Sequence, residues 1–254
     1  MLKVKYLLNK FTRLLALVIV CNSVGLAMIG SAQAERRPER SQVSDFGLPT
    51  HRRDGGSRGS KDSCVANVET QNLMALIPQQ TVGRNASASP KLFFYVPESE
   101  QKSTLEFVLR NEEDKLMYEA FLSTEGNGIM SVEVPADVTA NLLEKENYHW
   151  YLSMICDSEQ RSRDIVVEGW MRQEAIDLAT QQELDTASSL KKAEVYQEQG
   201  FWFNALSALA ENPDALQKPS MERQKWSEML SSVGLKDLAS EPFIETEFID
   251  NPAK

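Results

Sequence analysis

The sequence predicts an α+β fold, in which an antiparallel β-sandwich-like sheet domain (residues 62–173) precedes a C-terminal three-helix region (residues 174–235). The first observation is a period of two in the apolar residues between Leu92 and Met171, which is typical of half-buried strands. The second is a change to a period of 3.6 after Arg172, which is typical of amphipathic helices. Short strands joined by polar turns favour an antiparallel sandwich or an open barrel.

Six strands are expected in the sheet domain, at residues 92–96, 104–110, 116–122, 130–134, 148–156 and 165–171. The fifth strand carries Tyr148, Trp150, Leu152, Met154 and Cys156 at alternate positions. Because successive side chains of a strand point to opposite faces, these five share one face. The sequence therefore predicts that Cys156 lies against the core.

The helical region is expected to begin with one long helix or two over residues 174–199. A further helix starts at Trp202 and stops at Asn212-Pro213. The last helix is capped by Ser220, whose side-chain oxygen suits an N-cap position. The spacing of Ala193 and Tyr196 before the helix of Trp202 also resembles the inner part of one tetratricopeptide repeat, and an ordinary helical hairpin is the alternative.

Gly200 and Gly234 are expected to terminate helices in the left-handed conformation. In the Schellman terminator, the residue after the glycine makes an apolar contact with the fourth residue before it. At Gly200 this rule pairs Tyr196 with Phe201. At Gly234 it pairs residues 230 and 235, which are both leucine.

Residues 1–34 have the features of a secretory signal peptide. They contain, in this order, four basic residues, an apolar run over residues 14–29 and the small-x-small sequence Ala32-Gln33-Ala34. An uncleaved membrane anchor is disfavoured because the run is shorter than the roughly 20 residues that span a bilayer. A lipoprotein site at Cys21 is disfavoured by Val20, where the peptidase needs a small side chain. We therefore expect an exported protein, periplasmic or extracellular, without stable membrane insertion after cleavage.

The charge is strongly acidic once the leader is removed. The formal net charge of the chain is −10, and four of its 27 basic residues and none of its 37 acidic residues lie in 1–34, so the mature charge is −14. Residues 35–61 form a basic segment rich in Arg, Gly and Ser, which is expected to be a flexible lead-in. Residues 236–254 form an acidic C-terminal tail. An acidic body repels a phosphate backbone, so no nucleic-acid partner is expected.

Few residues in the mature chain suit catalysis. His149 would need a carboxylate partner such as Glu168 on a neighbouring strand to act as a general base, and a half-exposed strand histidine is the alternative. No metal site with sensible ligand spacing is apparent, and neither a cofactor nor a catalytic residue is assigned.

A set of motifs follows in order along the mature chain: Leu48-Pro49-Thr50, Gly55-Gly56-Ser57-Arg58-Gly59, Cys64, Leu76-Ile77-Pro78, Phe94-Tyr95-Val96-Pro97, Glu106-Phe107-Val108-Leu109-Arg110, Tyr148-x-Trp150, Cys156-Asp157, Val167-Glu168-Gly169-Trp170, Gly200-x-Trp202-x-x-Ala205-Leu206 and Trp226 to Gly234-Leu235. In this order they resemble the Domain of Unknown Function 928 family, found chiefly in cyanobacterial envelopes. The resemblance spans about residues 46–235 and implies secretion and a core with two cysteines, but no particular activity. Met171-Arg172-Gln173 departs from the more regular Ile-x-Arg of many members.

Three functions are compatible with these observations. The first is a non-catalytic envelope protein that binds an envelope or extracellular protein through a helical surface at Trp202 and Trp226. The second is a sandwich that binds a glycan or small ligand through Tyr95, Trp150 or Tyr148. The third is a hydrolase that uses acidic residues such as Glu168, which would require two carboxylates facing one cleft.

We predict a disulfide bond between Cys64 and Cys156, because these are the two cysteines that remain after the leader and export favours their oxidation. Closing this 93-residue loop would stabilise the fold by about 4–5 kcal/mol through the lost entropy of the unfolded chain. Thiol titration of the denatured, unreduced mature protein should detect no free thiol. Two free thiols would contradict the prediction.

Overall fold

Nine β-strands and six α-helices occur in the part of the chain that a computed structural model describes, namely residue 52 and residues 72–79, 82–99 and 102–252. The strands are β1 (Met74–Ala75), β2 (Val82–Asn85), β3 (Lys91–Val96), β4 (Ser103–Arg110), β5 (Leu116–Thr124), β6 (Gly128–Glu133), β7 (Asn147–Met154), β8 (Ile165–Gln173) and β9 (Thr246–Ile249). The α-helices are α1 (Ala136–Thr139), α2 (Leu178–Thr186), α3 (Ser189–Glu198), α4 (Trp202–Leu209), α5 (Pro213–Gln217) and α6 (Met221–Ser232). Two 3₁₀ helices lie at Arg161–Arg163 and Lys236–Ser240.

The larger sheet has six strands in the order β2-β8-β7-β4-β5-β9. Its neighbouring strands are antiparallel except for β2 and β8, which are parallel. On β4, Leu105, Phe107 and Leu109 are buried and the residues between them are half-buried, as the alternation of a strand requires. Each of the six predicted strands is present, and the α+β class is confirmed.

The smaller sheet has the antiparallel order β1-β3-β6. On β3, the ring of Phe94 lies 5.5 Å from that of Trp150 and 6.4 Å from that of Phe107, so it packs against the larger sheet. The adjacent Phe93 makes an edge contact with Trp226 of α6, at 5.8 Å. Strand β3 therefore contacts the larger sheet on one side and the helices on the other. The sandwich arrangement itself stays a prediction.

The C-terminal region has five α-helices, α2 to α6, where three were expected. Residues 174–199 form two helices because Ser188 starts a new one, its hydroxyl accepting from the Lys191 N–H at 3.3 Å. The additional helix α5 begins at Pro213 behind an Asn212 cap, in a segment that was expected only to end the previous helix. Among the described residues, no helix has the length and apolar character needed to cross a bilayer.

Both predicted glycine terminators are confirmed. Gly200 has a φ of +81° and Gly234 a φ of +74°, the left-handed region that glycine adopts without strain. After α3, the Phe201 N–H donates to the Tyr196 carbonyl (2.8 Å) and the two rings meet edge-on at 6.4 Å. After α6, the N–H of residue 235 donates to the carbonyl of residue 230 at 2.8 Å.

Helix α4 is buried on nearly every side. Seven of its eight residues are buried, and the exception is Ser207. The Trp202 Nε1–H donates to the Leu76 carbonyl at 2.7 Å, and the Phe203 ring covers Gly83 of β2. A helix that is apolar and buried on nearly every side belongs in a core, so α4 joins the sheets to the other helices.

The acidic C-terminal segment contains structure that the sequence pattern did not predict. Phe243 packs against Phe93 and Trp226, at 6.5 and 5.5 Å between ring centroids. Beyond it, β9 pairs antiparallel with β5 and becomes the edge of the larger sheet. Four residues are too few for an alternation of apolar and polar side chains to predict a strand. Strand β9 therefore depends on its pairing with β5.

Arg52 belongs to the predicted lead-in, yet its side chain is buried and only 5% of the residue is exposed. Its guanidinium donates to the carbonyls of Ile77 (3.0 Å) and Val233 (2.6 Å), and its own carbonyl accepts from the Ala75 N–H at 3.0 Å. The expectation of a flexible segment is therefore wrong at this residue. The rest of residues 35–61, and the leader, lie outside the described residues.

We expect Gly83→Ala to destabilise the protein by about 1–3 kcal/mol, the usual cost of overpacking a core. An added Cβ would overlap the buried Phe203 ring, while the backbone at this glycine is not in the left-handed region. Urea unfolding measures the change. In a Phe203→Leu background the penalty should shrink, and an equal penalty in both backgrounds would show that the ring is not responsible.

Candidate binding cleft

A cleft of about 560 Å³ lies among helices α2, α3 and α4, the loop before β3 and the paired ends of β3 and β6. This volume falls within the range of small-molecule and peptide sites. The lining side chains are mostly polar or charged, with Leu184 and Ala208 as the aliphatic exceptions. The cleft is therefore suited to a polar ligand.

Asn204 of α4 forms the buried floor of the cleft, with only 6% of its surface exposed. Its Oδ1 accepts a hydrogen bond from the Ala86 N–H at 3.0 Å. Because a backbone N–H can only donate, the oxygen must face Ala86, and the orientation of the amide is fixed. Within the described residues the Nδ2 group donates to no acceptor. The cleft thus has a donor of fixed orientation available to a ligand.

Tyr196 of α3 contributes an aromatic ring to the same cleft. Burial raises the pKa of its phenol above the ordinary 10, and the carboxylates of Glu211 and Asp185 raise it further. The phenol therefore stays neutral at physiological pH, and its hydroxyl can both donate and accept. In the part of the chain that the structure describes, this hydroxyl makes no hydrogen bond.

The walls of the cleft carry both signs of charge. On the sheet side, Lys91 Nζ lies 3.3 Å from a carboxylate oxygen of Glu133. On the helix side, Glu211 accepts from the Ser189 hydroxyl at 2.8 Å, and Asp185 accepts from a neighbouring glutamine amide at 2.7 Å. The exposed ion pair of Lys91 and Glu133 contributes about 0–1 kcal/mol, so a ligand can displace it at little cost.

The four aromatic residues expected to bind a partner or ligand lie elsewhere. Trp202, Trp226, Tyr95 and Trp150 are buried, with exposures of 9, 1, 3 and 0%. Their apolar area packs the core, and the indole N–H of Trp202 donates to the Leu76 carbonyl inside the protein. The expectation that these side chains form a binding surface is therefore wrong for the folded chain. The same applies to Tyr148, which is 1% exposed.

Cys156 lies two residues beyond the end of β7 rather than within the strand, and it is half-buried. Its N–H is 3.4 Å from Oδ1 of Asp164. Cys64 lies outside the described residues, so the disulfide stays a prediction.

His149 and Glu168 come together across β7 and β8, as the general-base hypothesis requires. His149 Nε2 lies 3.1 Å from Glu168 Oε2, and Nδ1 lies 2.7 Å from the hydroxyl of Tyr151. The imidazole also stacks on the Trp170 ring at 4.1 Å. Burial lowers the pKa of His149, and the Glu168 carboxylate partly opposes this. The three groups can share a proton, but neither His149 nor Glu168 lines the cleft.

A family model described as Domain of Unknown Function (DUF928) matches residues 53–243 of the chain. The chain belongs to the DUF928 family. This match confirms the resemblance that the motifs predicted, and it includes every residue that lines the cleft. No curated protein matches the chain. Within the described residues of this DUF928 chain, no three histidine, cysteine, aspartate or glutamate side chains group as metal ligands.

Sequence reasoning missed the cleft residues, although one signal for them was present. Asn204 and Ser207 lie three residues apart in the otherwise apolar segment that forms α4. At that spacing they share one side of a helix. A narrow polar stripe on an otherwise apolar helix predicts that this side faces a polar space rather than the core.

We expect the free energy of unfolding to fall as the pH is lowered through about 6.5, the ordinary pKa of histidine. Since the folded-state pKa of His149 is lowered, the unfolded chain binds the proton first, and the loss ends below the folded-state pKa. Urea unfolding between pH 7.5 and 5 measures this slope. The substitution His149→Gln should flatten it.

The matched control is His51→Gln, which removes the other histidine of the chain. The slope should persist in this variant. If His149→Gln left the slope unchanged, the buried imidazole would not be its source.

Proposed function

We propose that this DUF928 protein is a non-catalytic binding protein of the cell envelope and that its cleft holds a segment of a partner protein. The observation that carries the proposal is the cleft-lining Asn204, whose amide orientation is fixed and whose Nδ2 group has no acceptor within the described residues. A donor that is held in place before binding can pair with a ligand without the cost of ordering it. A carbonyl oxygen of a bound polypeptide would supply the missing acceptor.

The other groups in the cleft also suit a polypeptide. A main chain offers a donor and an acceptor in every residue. The neutral Tyr196 hydroxyl can pair with either, while Lys91 and Glu211 stand on opposite walls for charged side chains. The interaction surface is thus the helical side of the protein, but it is formed by polar residues instead of Trp202 and Trp226.

The envelope location rests on the sequence of the leader and on the cysteine count. A positive segment, an apolar run and a cleavage pattern precede residue 35. Two cysteines then remain, which suits an oxidising compartment. Export thus accounts for both features.

A binding role accounts for the cleft better than hydrolysis does. The carboxylates of Glu133, Asp185 and Glu211 each contact a neighbouring donor. The one histidine–carboxylate pair among the described residues, His149 with Glu168, lies outside the cleft. A hydrolase of the paired-carboxylate type needs both groups to flank one scissile bond.

The substitution Asn204→Asp tests the proposal, because a carboxylate still accepts from the Ala86 N–H but cannot donate to a ligand. Mature protein would be crosslinked in envelope preparations, and captured proteins quantified by mass spectrometry. We expect one dominant partner with the parent protein and at least about tenfold less with Asn204→Asp. The matched control is Gln182→Glu, the same amide-to-acid change at an exposed residue of α2 that does not line the cleft, which should retain capture.

A glycan array screened in parallel distinguishes the alternative, in which sugar hydroxyls take the place of the peptide carbonyl. One possible result is that a glycan binds, that Asn204→Asp abolishes this binding, and that no protein is captured. The ligand of the cleft would then be a glycan and not a partner protein. Capture that is equal for the parent and Asn204→Asp would remove the cleft from the proposal. No protein and no glycan above background would overturn it entirely.

A further inference from the structure

Strand β6 is an edge of the smaller sheet, since the strand order is β1-β3-β6. In an antiparallel pair, alternate residues direct their main-chain groups toward and away from the partner strand. Ile129 directs its groups away from β3, because its N–H donates to the Pro242 carbonyl (2.7 Å) and its carbonyl accepts from the Ile244 N–H (3.0 Å). The main-chain groups of Ser131 and Glu133, two and four residues further on, also point away from β3.

In the part of the chain that the structure describes, main-chain hydrogen bonds cover this edge only at its beginning, at Ile129. After Ile244 the chain turns to β9, which pairs with β5 in the other sheet. Within the described residues, the main-chain N–H and carbonyl groups of Ser131 and Glu133 form no hydrogen bonds. Open edges of this kind are a template for pairing with another extended chain.

The open edge leads into the cleft. Glu133 ends β6 and also lines the cleft beside Lys91. A chain paired with Ser131 and Glu133 would therefore continue toward the free amide donor of Asn204. We propose that the partner segment binds as an added strand on the edge of β6 and enters the cleft in extended form. This inference rests on the proposed function, because it names the form that the partner takes in the same cleft.

The charge of the edge indicates the composition of the segment. Glu133 and Asp137 are exposed on either side of the end of β6, and Glu241 precedes the residues that cover Ile129. The mature chain as a whole is expected to carry a charge of −14. The complementary segment carries lysine or arginine at alternate positions, so that one side of the added strand faces these carboxylates.

The probe is a short synthetic peptide of alternating lysine and valine, labelled for fluorescence anisotropy, added to the full mature protein. Its control has the same composition with N-methyl groups on alternate amides, which preserves the charge and prevents strand pairing. We expect the N-methylated peptide to bind at least about tenfold more weakly. Equal binding of the two peptides would show attraction by charge alone and overturn the proposal.

The variant Ser131→Pro tests the same point from the protein side. Proline removes the outward N–H and is tolerated on the free side of an edge strand. Ser131→Ala is the matched control, because it removes the hydroxyl and keeps the N–H. We expect Ser131→Ala to bind the peptide like the parent protein, and Ser131→Pro to bind at least about tenfold more weakly at unchanged thermal stability.

Two further results separate the possible failures. Hydrogen exchange should slow at the amides of Ser131 and Glu133 when the peptide is bound, a measurement that does not depend on any variant. Unchanged exchange there would overturn the added strand. If the peptide does not bind the parent protein, while Asn204 remains necessary for partner capture, the added strand is wrong and the proposed function stands.

Discussion

Helix α4 fixes the relative positions of the two sheets and the other helices through three consecutive side chains. Trp202 donates to the carbonyl of Leu76, Phe203 covers Gly83, and Asn204 accepts from the N–H of residue 86. Consecutive residues of an α-helix point about 100° apart, so the three contacts lie in three directions. Neither a rotation nor a shift of the helix could preserve all of them. Because Asn204 also lines the cleft, the same contacts set the position of the cleft floor.

The contacts around β1 show why long polar side chains are needed to hold this core together. Strand β1 has two residues, and the chain leaves the sheet directly after it, so the carbonyls of Leu76 and Ile77 have no strand partner in the described sheet. Trp202 supplies the donor for the first, and Arg52 supplies the donor for the second. Buried carbonyls must be paired, and here side chains from distant parts of the sequence pair them. Arg52 also donates to the carbonyl of Val233 at the end of α6, so one side chain links this helix to the segment after β1.

The parts of this fold that local chemistry determines were predictable. The alternation of apolar residues predicted β4. Gly200 and Gly234, which have a positive φ, predicted the ends of α3 and α6. The parts that depend on distant contacts were not predictable. Strand β9 has only four residues and forms against β5, while the burial of Trp202 depends on a carbonyl 126 positions away. Aromatic residues at helical spacing are expected both on a binding surface and in a core, so periodicity could not separate the two alternatives.

The two features that suggest a function are ones that folding does not require. The fold uses the oxygen of the Asn204 amide and leaves its Nδ2 donors without a described acceptor. It also uses one side of β6 for β3 and leaves the outward groups of Ser131 and Glu133 without described partners. Polar groups that a fold leaves open in this way are free to pair with another chain. Because Glu133 belongs both to the edge and to the cleft, one extended chain could satisfy both sets of groups. A single extended ligand would therefore use the fixed amide of the cleft and the open strand edge together, which favours one binding site over two separate ones.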